Sequence, residues 1–344
     1  MRVAMYYSNR DVRIEEMPVP SIQQDEVLMR IESSGICGSD VMEWYRKDKV
    51  PLVLGHEVSG IVEKVGDEVS KFEVGDRVIA AHHVPCNTCH YCLKGDHTVC
   101  DTLRKTNFYP GGFAEYVRLP AINVDRGTFR IPDDMSFDAA TFIEPVACVI
   151  RGQQRAGLKH GLSVLVLGSG IAGVLHVCLA RASGAGLIVA TDVIEHRLEA
   201  AAKFGADVVL HAQHDIPEEM RRMNRGRLAD IVIVSTGAVP AIKQALESVE
   251  RGGTILFFAP TESPVIIPKP INEIFWRSDV TLTTSYAGSP ADHVTAMRLI
   301  AKGNVPVMDM ITHKLALKDT GLGFQMVANP QSYTALKVIV HPCT

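Results

Sequence analysis

The sequence predicts an α/β protein of two domains, and three observations support this. The chain has 344 residues, more than one hydrophobic core usually supports. Residues 1–147 contain short runs rich in Val and Ile, bounded by Gly, Asp and Pro, as is typical of β-strands. Residues 148–286 alternate helical patterns with short apolar runs, as a parallel sheet covered on both faces requires. We therefore expect a mostly-β domain, then a doubly wound domain, with residues 287–344 returning to the first.

The individual elements follow from the residue patterns in chain order. The runs EVLMRIESSGI, HEVSGIVEKVG and DRVIAAHHV predict strands of the first domain. The second domain begins with the strand SVLVL, followed by the helix IAGVLHVCLARASGA and the strand LIVATD. After residue 286, the sequence predicts a helix in ADHVTAMRLIAKG and a last strand in ALKVIVHP.

Composition excludes several classes of partner and location. The chain has 35 Lys and Arg against 39 Asp and Glu, a net charge of -4, which favours neither nucleic acid nor a membrane surface. The N-terminal MRVAMYYSNRDVRIEE lacks the apolar segment of a signal peptide, and no apolar run reaches the ~18 residues of a spanning helix. We expect a cytoplasmic protein.

Four cysteines between residues 86 and 100 indicate a metal site. The sequence places Cys86, Cys89, Cys92 and Cys100 within one short segment. Four thiolates suit a closed, tetrahedral structural zinc ion. An iron-sulfur cluster is the alternative, but the spacing to the fourth cysteine and the lack of a following Pro disfavour it.

A glycine-rich turn after the strand SVLVL predicts a dinucleotide site. Gly168 permits the tight turn, Gly170 admits the pyrophosphate, and Gly173 lets the helix approach the strand. About 20 residues later, Asp192 ends the next strand, where a carboxylate binds ribose hydroxyls and repels a 2'-phosphate. NAD is therefore favoured over NADP, with the basic Arg197 as a reservation. The predicted cofactor-binding residues are Gly168, Gly170, Ile171, Ala172, Gly173, Asp192 and Arg197.

These motifs and five others resemble one known superfamily over essentially the whole chain. The others are GICGSD, GHEVSGIVEKVG, VGDRV, GGFAEYV and EPVACV. The sequence is similar to zinc-containing alcohol, polyol and threonine dehydrogenases of the medium-chain dehydrogenase/reductase superfamily, above all to sorbitol-type polyol dehydrogenases. The resemblance implies a GroES-like catalytic domain, a Rossmann domain that binds NAD, and one catalytic and one structural zinc ion per chain. It also implies a homodimer or homotetramer that interconverts a secondary alcohol and its ketone.

The resemblance also implies a catalytic site. Cys37, His56 and a glutamate would hold the catalytic zinc, and either Glu57 or Glu144 could be that glutamate, with the other holding the metal-bound water or exchanging in during turnover. Ser39 matches a hydroxyl that contacts the substrate oxygen. Asp40 matches an acid that orients the imidazole of His56.

The substrate stays open at the level of sequence. Tyr286 is retained from a substrate-binding Arg-Tyr pair of sorbitol-type relatives, but Ser285 stands in the place of the Arg. Met42 stands where many relatives carry a proton-relaying His. A phosphorylated sugar alcohol would suit several basic residues, although such residues are more often solvated: Arg46, Lys47, Lys49, Arg104 and Lys105. A cyclitol and an amino alcohol are further alternatives for the substrate. Two alternatives for the function are a zinc-free reductase and a crystallin-like structural protein.

Overall fold

The chain folds into two compact units. The computed structural model describes residues 1–262, 264–266, 271–274 and 276–344. The first unit comprises Met1–Ala147 and Ala287–Thr344, and the second comprises Cys148–Tyr286. We call them the catalytic unit and the nucleotide unit.

The catalytic unit consists mainly of short strands and short helices. Its first part contains β1 (Arg2–Ser8), β2 (Asp11–Glu16), β3 (Val27–Gly35), α1 (Glu43–Arg46), β4 (Leu52–Val53), β5 (Glu57–Val65), β6 (Arg77–Ala81), α2 (His90–Leu93), α3 (Asp101–Lys105), β7 (Tyr116–Leu119), α4 (Ala121–Arg126), β8 (Thr128–Arg130), α5 (Phe137–Ala140) and the start of α6 (Ile143–Arg155), whose residues from Cys148 onward belong to the nucleotide unit.

Two sheets form the framework of the catalytic unit. The larger has the order β15-β16-β3-β5-β6-β8, with β7 also paired to β3, and the smaller has the order β2-β1-β4. The strands β15 (Ile311–Ala316) and β16 (Lys337–His341) come from the end of the chain. The antiparallel pair β3 and β5 lies in the middle of the larger sheet, and its buried side chains include Met29, Ile31, Val58 and Val62. The C-terminal segment thus supplies two strands of the sheet that carries the candidate metal ligands.

The nucleotide unit alternates strands with helices. It contains β9 (Ser163–Leu167), α7 (Ile171–Ala182), β10 (Leu187–Asp192), α8 (Glu195–Lys203), β11 (Val208–His211), α9 (Ile216–Met223), β12 (Ala229–Val234), α10 (Val239–Ser248), β13 (Val249–Phe257), α11 (Ile271–Ile274) and β14 (Thr281–Thr284).

The last part of the catalytic unit adds α12 (Pro290–Ala301), α13 (Thr320–Ala328) and α14 (Pro330–Tyr333).

The sheet of the nucleotide unit has a doubly wound order. Its six parallel strands follow the order β11-β10-β9-β12-β13-β14. Strand β9 is buried along its whole length, and Val164–Leu167 are fully inaccessible, as expected for a strand covered on both faces. The order reverses between β9 and β12, and crevices at such reversals bind dinucleotides.

The structure confirms the predicted fold class, with a mostly-β unit and a doubly wound α/β unit. The three apolar runs predicted as strands of the first domain correspond to β3, β5 and β6. Among the residues that the structure describes, no helix is both long enough and apolar enough to cross a lipid bilayer.

Candidate functional site

A tight turn after β3 holds the first candidate zinc ligand. The backbone N–H of Asp40 donates to the Cys37 carbonyl at 3.0 Å, and the Cys37 N–H donates to Asp40 Oδ2 at 3.0 Å. The hydroxyl of Ser39 lies 3.4 Å from Cys37 Sγ. The turn therefore keeps the thiol, the hydroxyl and the buried carboxylate in a defined arrangement.

The pairing of β3 with β5 brings His56 and Glu57 to this turn. Gly35, two residues before Cys37, is paired with Glu57 across the two strands. A side chain at Gly35 would overlap the Glu57 carboxylate, so a glycine is required for this close approach. One ligand atom each from Cys37, His56 and Glu57 lies within 4.8 Å of the other two. Thiolate, imidazole and carboxylate are the donors that zinc prefers, so the three residues fit a zinc ion.

The electrostatics around His56 favour a cation. His56 Nδ1 lies 3.4 Å from Oδ1 of Asp40, which is completely buried. Burial alone would lower the pKa of His56, but the neighbouring Asp40 and Cys37 raise it well above its ordinary value. The pKa of Asp40 is lowered despite its burial because His56 and the Cys37 N–H stabilise the carboxylate. A metal ion bound to His56 Nε2 would be stabilised by the same negative groups.

Lys337 is a residue of this site that the sequence did not reveal. Its ammonium group forms an ion pair with Glu57, and both side chains are almost completely buried. Lys337 Nζ also lies 3.4 Å from the Ile36 carbonyl and 5.4 Å from the centre of the Phe142 ring. The only signal in the sequence was a charged residue at the start of the apolar strand KVIVH.

The structure separates the two glutamates that the sequence left as alternatives. Glu57 belongs to the group of mutually close ligand atoms, whereas Glu144 does not. Glu144 lies in the first turn of α6 and is half-buried. Glu57 therefore has the geometry of an inner-sphere ligand in this conformation.

His82 is a second residue beside the site that the sequence did not reveal. Its ring centre lies 4.8 Å from that of His56 and 3.9 Å from that of His83. Burial lowers the pKa of His82 well below its ordinary value, and His56, His83, His293 and Arg46 lower it further. The imidazole is therefore neutral at pH 7. Its Nδ1 is buried without a hydrogen-bond partner among the described residues.

The four-cysteine segment forms a second, separate ligand group. The sulfurs of Cys86, Cys89, Cys92 and Cys100 lie within 4.8 Å of one another, with distances of 3.6 Å for Cys89–Cys92, 3.6 Å for Cys86–Cys100 and 4.0 Å for Cys86–Cys92. A tetrahedral ion with Zn–S bonds of about 2.3 Å places sulfurs about 3.8 Å apart. An iron-sulfur cluster would hold its thiolates on different irons and farther apart. The geometry therefore fits structural zinc.

Local hydrogen bonds prepare this group for a metal ion. Interactions with Thr88 and the N–H of Cys89, 3.3 Å from Cys86 Sγ, lower the pKa of the Cys86 thiol to about 5. The thiolate is the form that binds metal. Leu103 is completely buried against the cluster, so a zinc ion here would join α2, α3 and the intervening loop.

The glycine-rich turn of the nucleotide unit fits a pyrophosphate. Gly168 has a φ of 92°, which favours glycine, and a side chain at Gly173 would overlap the Gly168 carbonyl. By contrast, a Cβ at Gly170 would meet only the Arg197 guanidinium, at 3.7–3.8 Å. Helix α7 begins immediately afterwards with Ile171, Ala172 and Gly173, so its N–H groups point toward the space above Gly170.

Asp192 stabilises the turn and keeps an unused acceptor position. Its Oδ1 accepts from the N–H groups of Val193 and Ile194 at 2.8 and 3.0 Å, and its Oδ2 accepts from Ser169 N–H at 2.8 Å. Each carboxylate oxygen has about two acceptor positions, so Oδ2 keeps one for a ribose hydroxyl. The Arg197 guanidinium lies 3.9 Å from Oδ2.

Comparisons with known proteins show the family to which the chain belongs. Residues 23–133 match the family model of the alcohol dehydrogenase GroES-like domain, and residues 172–302 match that of the zinc-binding dehydrogenases. Sorbitol dehydrogenase of Bacillus subtilis (strain 168) is 32% identical, over 99% of this chain and 97% of that protein.

Solved structures show the same similarity. A protein from Sinorhizobium meliloti 1021, described as a zinc-binding dehydrogenase and bound to NADP, has a TM-score of 0.87 and 26% identity, with 99% of each chain covered. Galactitol-1-phosphate dehydrogenase from Escherichia coli has a TM-score of 0.86 and 26% identity, with 99% of this chain and 100% of that chain covered.

The fold, the glycine-rich turn and the two ligand groups define a zinc-binding, nucleotide-dependent dehydrogenase. The identity to curated relatives over nearly the whole chain shows that it belongs to the zinc-dependent medium-chain dehydrogenase/reductase superfamily, with similarity to its polyol dehydrogenases. It is an oxidoreductase of alcohols or polyols that uses zinc and a nicotinamide cofactor. Its substrate is a small-molecule alcohol or ketone.

We predict two zinc ions per chain, because the two ligand groups are separate and differ in chemistry. Cys37→Ser should remove one ion and abolish turnover while leaving the fold intact. Cys92→Ser should remove the other and lower the unfolding temperature, because that ion stabilises a lobe. Asp40→Asn should weaken zinc binding at the catalytic site about 10- to 100-fold. Native mass spectrometry counts the ions, and fully active protein with fewer than two would contradict the prediction.

Proposed function

We propose that this protein oxidises a secondary alcohol of a polyol-like substrate to the ketone, with NAD as the hydride acceptor. The observation that carries the proposal is the group Cys37, His56 and Glu57. Three protein ligands leave one position of a tetrahedral zinc ion for a substrate oxygen, whereas the four-cysteine group leaves none. The similarity to sorbitol dehydrogenase supports a polyol.

Each residue of the group has a separate proposed role. A bound zinc ion would polarise the alcohol and make its proton easier to remove. The Ser39 hydroxyl, which lies beside Cys37 Sγ, accepts that proton and passes it toward solvent. A bound nicotinamide would supply the hydride acceptor, so the alcohol would lose two electrons and two hydrogens in total. Asp40 keeps His56 oriented, and Glu144 is proposed as a carboxylate that exchanges with Glu57.

Lys337 makes the Glu57 carboxylate compatible with burial. An unpaired carboxylate inside the unit would cost several kcal/mol. The ion pair with Lys337 offsets this cost and engages Oε2, so Oε1 would remain available to hold a zinc ion. We therefore assign Lys337 a positioning role.

The test of the proposed activity is NADH formation on a panel of small alcohols. Sorbitol and xylitol should reduce NAD faster than primary alcohols of similar size do. A zinc chelator should abolish the reaction, and added zinc should restore it. Cys37→Ser serves as the matched inactive control. If zinc-loaded protein forms no NADH from polyols, amino alcohols or cyclitols, the proposal is wrong.

We expect NAD to be preferred to NADP because Asp192 would repel a 2'-phosphate. Asp192→Ala should lower the NAD over NADP preference in kcat/KM by roughly 10-fold or more, since a charged hydrogen bond to the ribose is lost. Asp192 accepts hydrogen bonds from three backbone N–H groups, so thermal unfolding of the variant measures whether their loss destabilises the fold. A wild-type enzyme with a lower KM for NADP than for NAD would contradict this assignment.

We propose a homodimer or homotetramer that forms through the nucleotide unit. Strand β14 lies at the edge of the six-stranded sheet, with β13 on one side only among the described residues. Open edges of this kind are usually covered, often by a second copy of the chain. Light scattering should return a multiple of 37.6 kDa, and a monomer at working concentration would contradict the proposal.

We also propose a cytoplasmic location. Five of the eight cysteines, Cys37 and the four between residues 86 and 100, belong to groups with the geometry of metal binding. Reducing compartments maintain such thiols. Cell fractionation that found the protein in an oxidising compartment would contradict this proposal.

A further inference from the structure

Five basic residues would suit a phosphorylated substrate, and among them only Arg46 is partly buried. It lies beside the candidate zinc site. It is the last residue of α1 and is half-buried, whereas Lys47, Lys49, Arg104 and Lys105 are exposed. Its Nη2 lies 3.3 Å from the Ser39 carbonyl. Ser39 is two residues from Cys37, so the guanidinium is attached to the same turn as the first zinc ligand.

The guanidinium has no carboxylate partner. Arg46 forms no ion pair within 4.0 Å among the described residues, and its Nε is buried without a hydrogen-bond partner. Its other recorded contact is with the Tyr45 ring, whose centre lies 4.8 Å away, and Lys49 lies 3.8 Å from the same ring centre. Arg side chains are seldom buried without a partner because the loss of hydration is costly. Of its Nη atoms only Nη2 has a hydrogen-bond partner among the described residues, so we expect a ligand to bind the guanidinium through its Nη atoms.

The positive charge of Arg46 acts on two groups beside the candidate zinc site. Arg46 contributes to the lowered pKa values of Asp40 and His82, which places its charge near both. The Asp40 carboxylate is already engaged by the Cys37 N–H and by His56, so it is not a substitute partner. His82, with its own unpartnered Nδ1, adds a neutral polar group beside His56.

We infer that Arg46 binds an anionic group of the substrate, a phosphate or a carboxylate, so that the enzyme prefers anionic polyol derivatives to neutral polyols. A planar guanidinium binds either group with two parallel hydrogen bonds, and its two Nη atoms form one such pair. The substrate hydroxyl then lies at Cys37, His56 and Glu57 while its anionic end lies at Arg46. This inference rests on the proposed function, because it names the substrate class of the same site.

The first experiment compares kcat/KM for sorbitol, sorbitol 6-phosphate and gluconate with NAD. The wild type should prefer at least one of the two anions to sorbitol, and the better anion distinguishes phosphate from carboxylate. Arg46→Gln should reduce the anion over sorbitol ratio about 10- to 100-fold, the effect of losing a charge-assisted hydrogen bond, mainly through a higher KM. Arg46→Lys should restore part of the ratio, because it keeps the charge but not the planar fork.

Lys47→Gln is the matched control. It removes the same charge one residue along, from an exposed side chain, and should leave the anion over sorbitol ratio unchanged within about two-fold. If Lys47→Gln lowers the ratio as much as Arg46→Gln, or if the wild type prefers sorbitol to both anions, the inference is wrong.

A second measurement does not depend on turnover or on the folding of a variant. Inorganic phosphate should compete with the preferred anion in the wild type, and calorimetry should show sorbitol 6-phosphate or gluconate binding to zinc-loaded protein. Absence of both effects would overturn the anion site, even if polyols are oxidised. Anion binding without NADH formation from any substrate would instead contradict the proposed function and leave the anion site supported.

Discussion

The antiparallel pairing of β3 with β5 is the constraint on which the candidate zinc site depends. The pairing sets Gly35 opposite Glu57. The end of β3, which leads to Cys37, therefore lies beside the start of β5, which follows His56. Side chains alternate between the faces of a sheet, and a shift by one residue would move Glu57 to the opposite face. The absence of a side chain at Gly35 allows the carboxylate to lie against the neighbouring strand. The register therefore decides which side chains can share a metal ion.

The burial of charge at this site requires partners from distant parts of the chain. Asp40 and Glu57 are both almost inaccessible to solvent; Asp40 lies beside the His56 imidazole, and Glu57 pairs with the Lys337 ammonium group. His56 is sixteen residues from Asp40, but Lys337 is 280 residues from Glu57. Strand β16 pairs with β3 through Ile339 and Gly35, and this pairing brings Lys337 to Glu57. The C-terminal segment is thus part of the site and not merely an extension of the sheet.

The two candidate metal groups show how ligand arrangement separates structure from chemistry. The cysteine group is local, within fifteen residues, and closes the coordination of an ion with four thiolates. The other group uses a thiolate, an imidazole and a carboxylate from two strands, and it is surrounded by polar groups with unused hydrogen-bonding capacity, Arg46 and His82. Only the second arrangement leaves a coordination position and polar partners for a substrate.

The sequence by itself determined the fold class, the four-cysteine group and the glycine-rich turn. Each depends on neighbours within about 25 residues, and local spacing is sufficient to recognise such features. Cys37 and His56 were recognisable only through the resemblance to a family, because nothing in their spacing unites them. The tertiary structure decided that Glu57, and not Glu144, lies close to both, and that Lys337 neutralises it. It also decided that Arg46, alone among five basic candidates, is partly buried beside the site. These properties depend on strand register and burial, which arise from contacts between residues far apart in the chain.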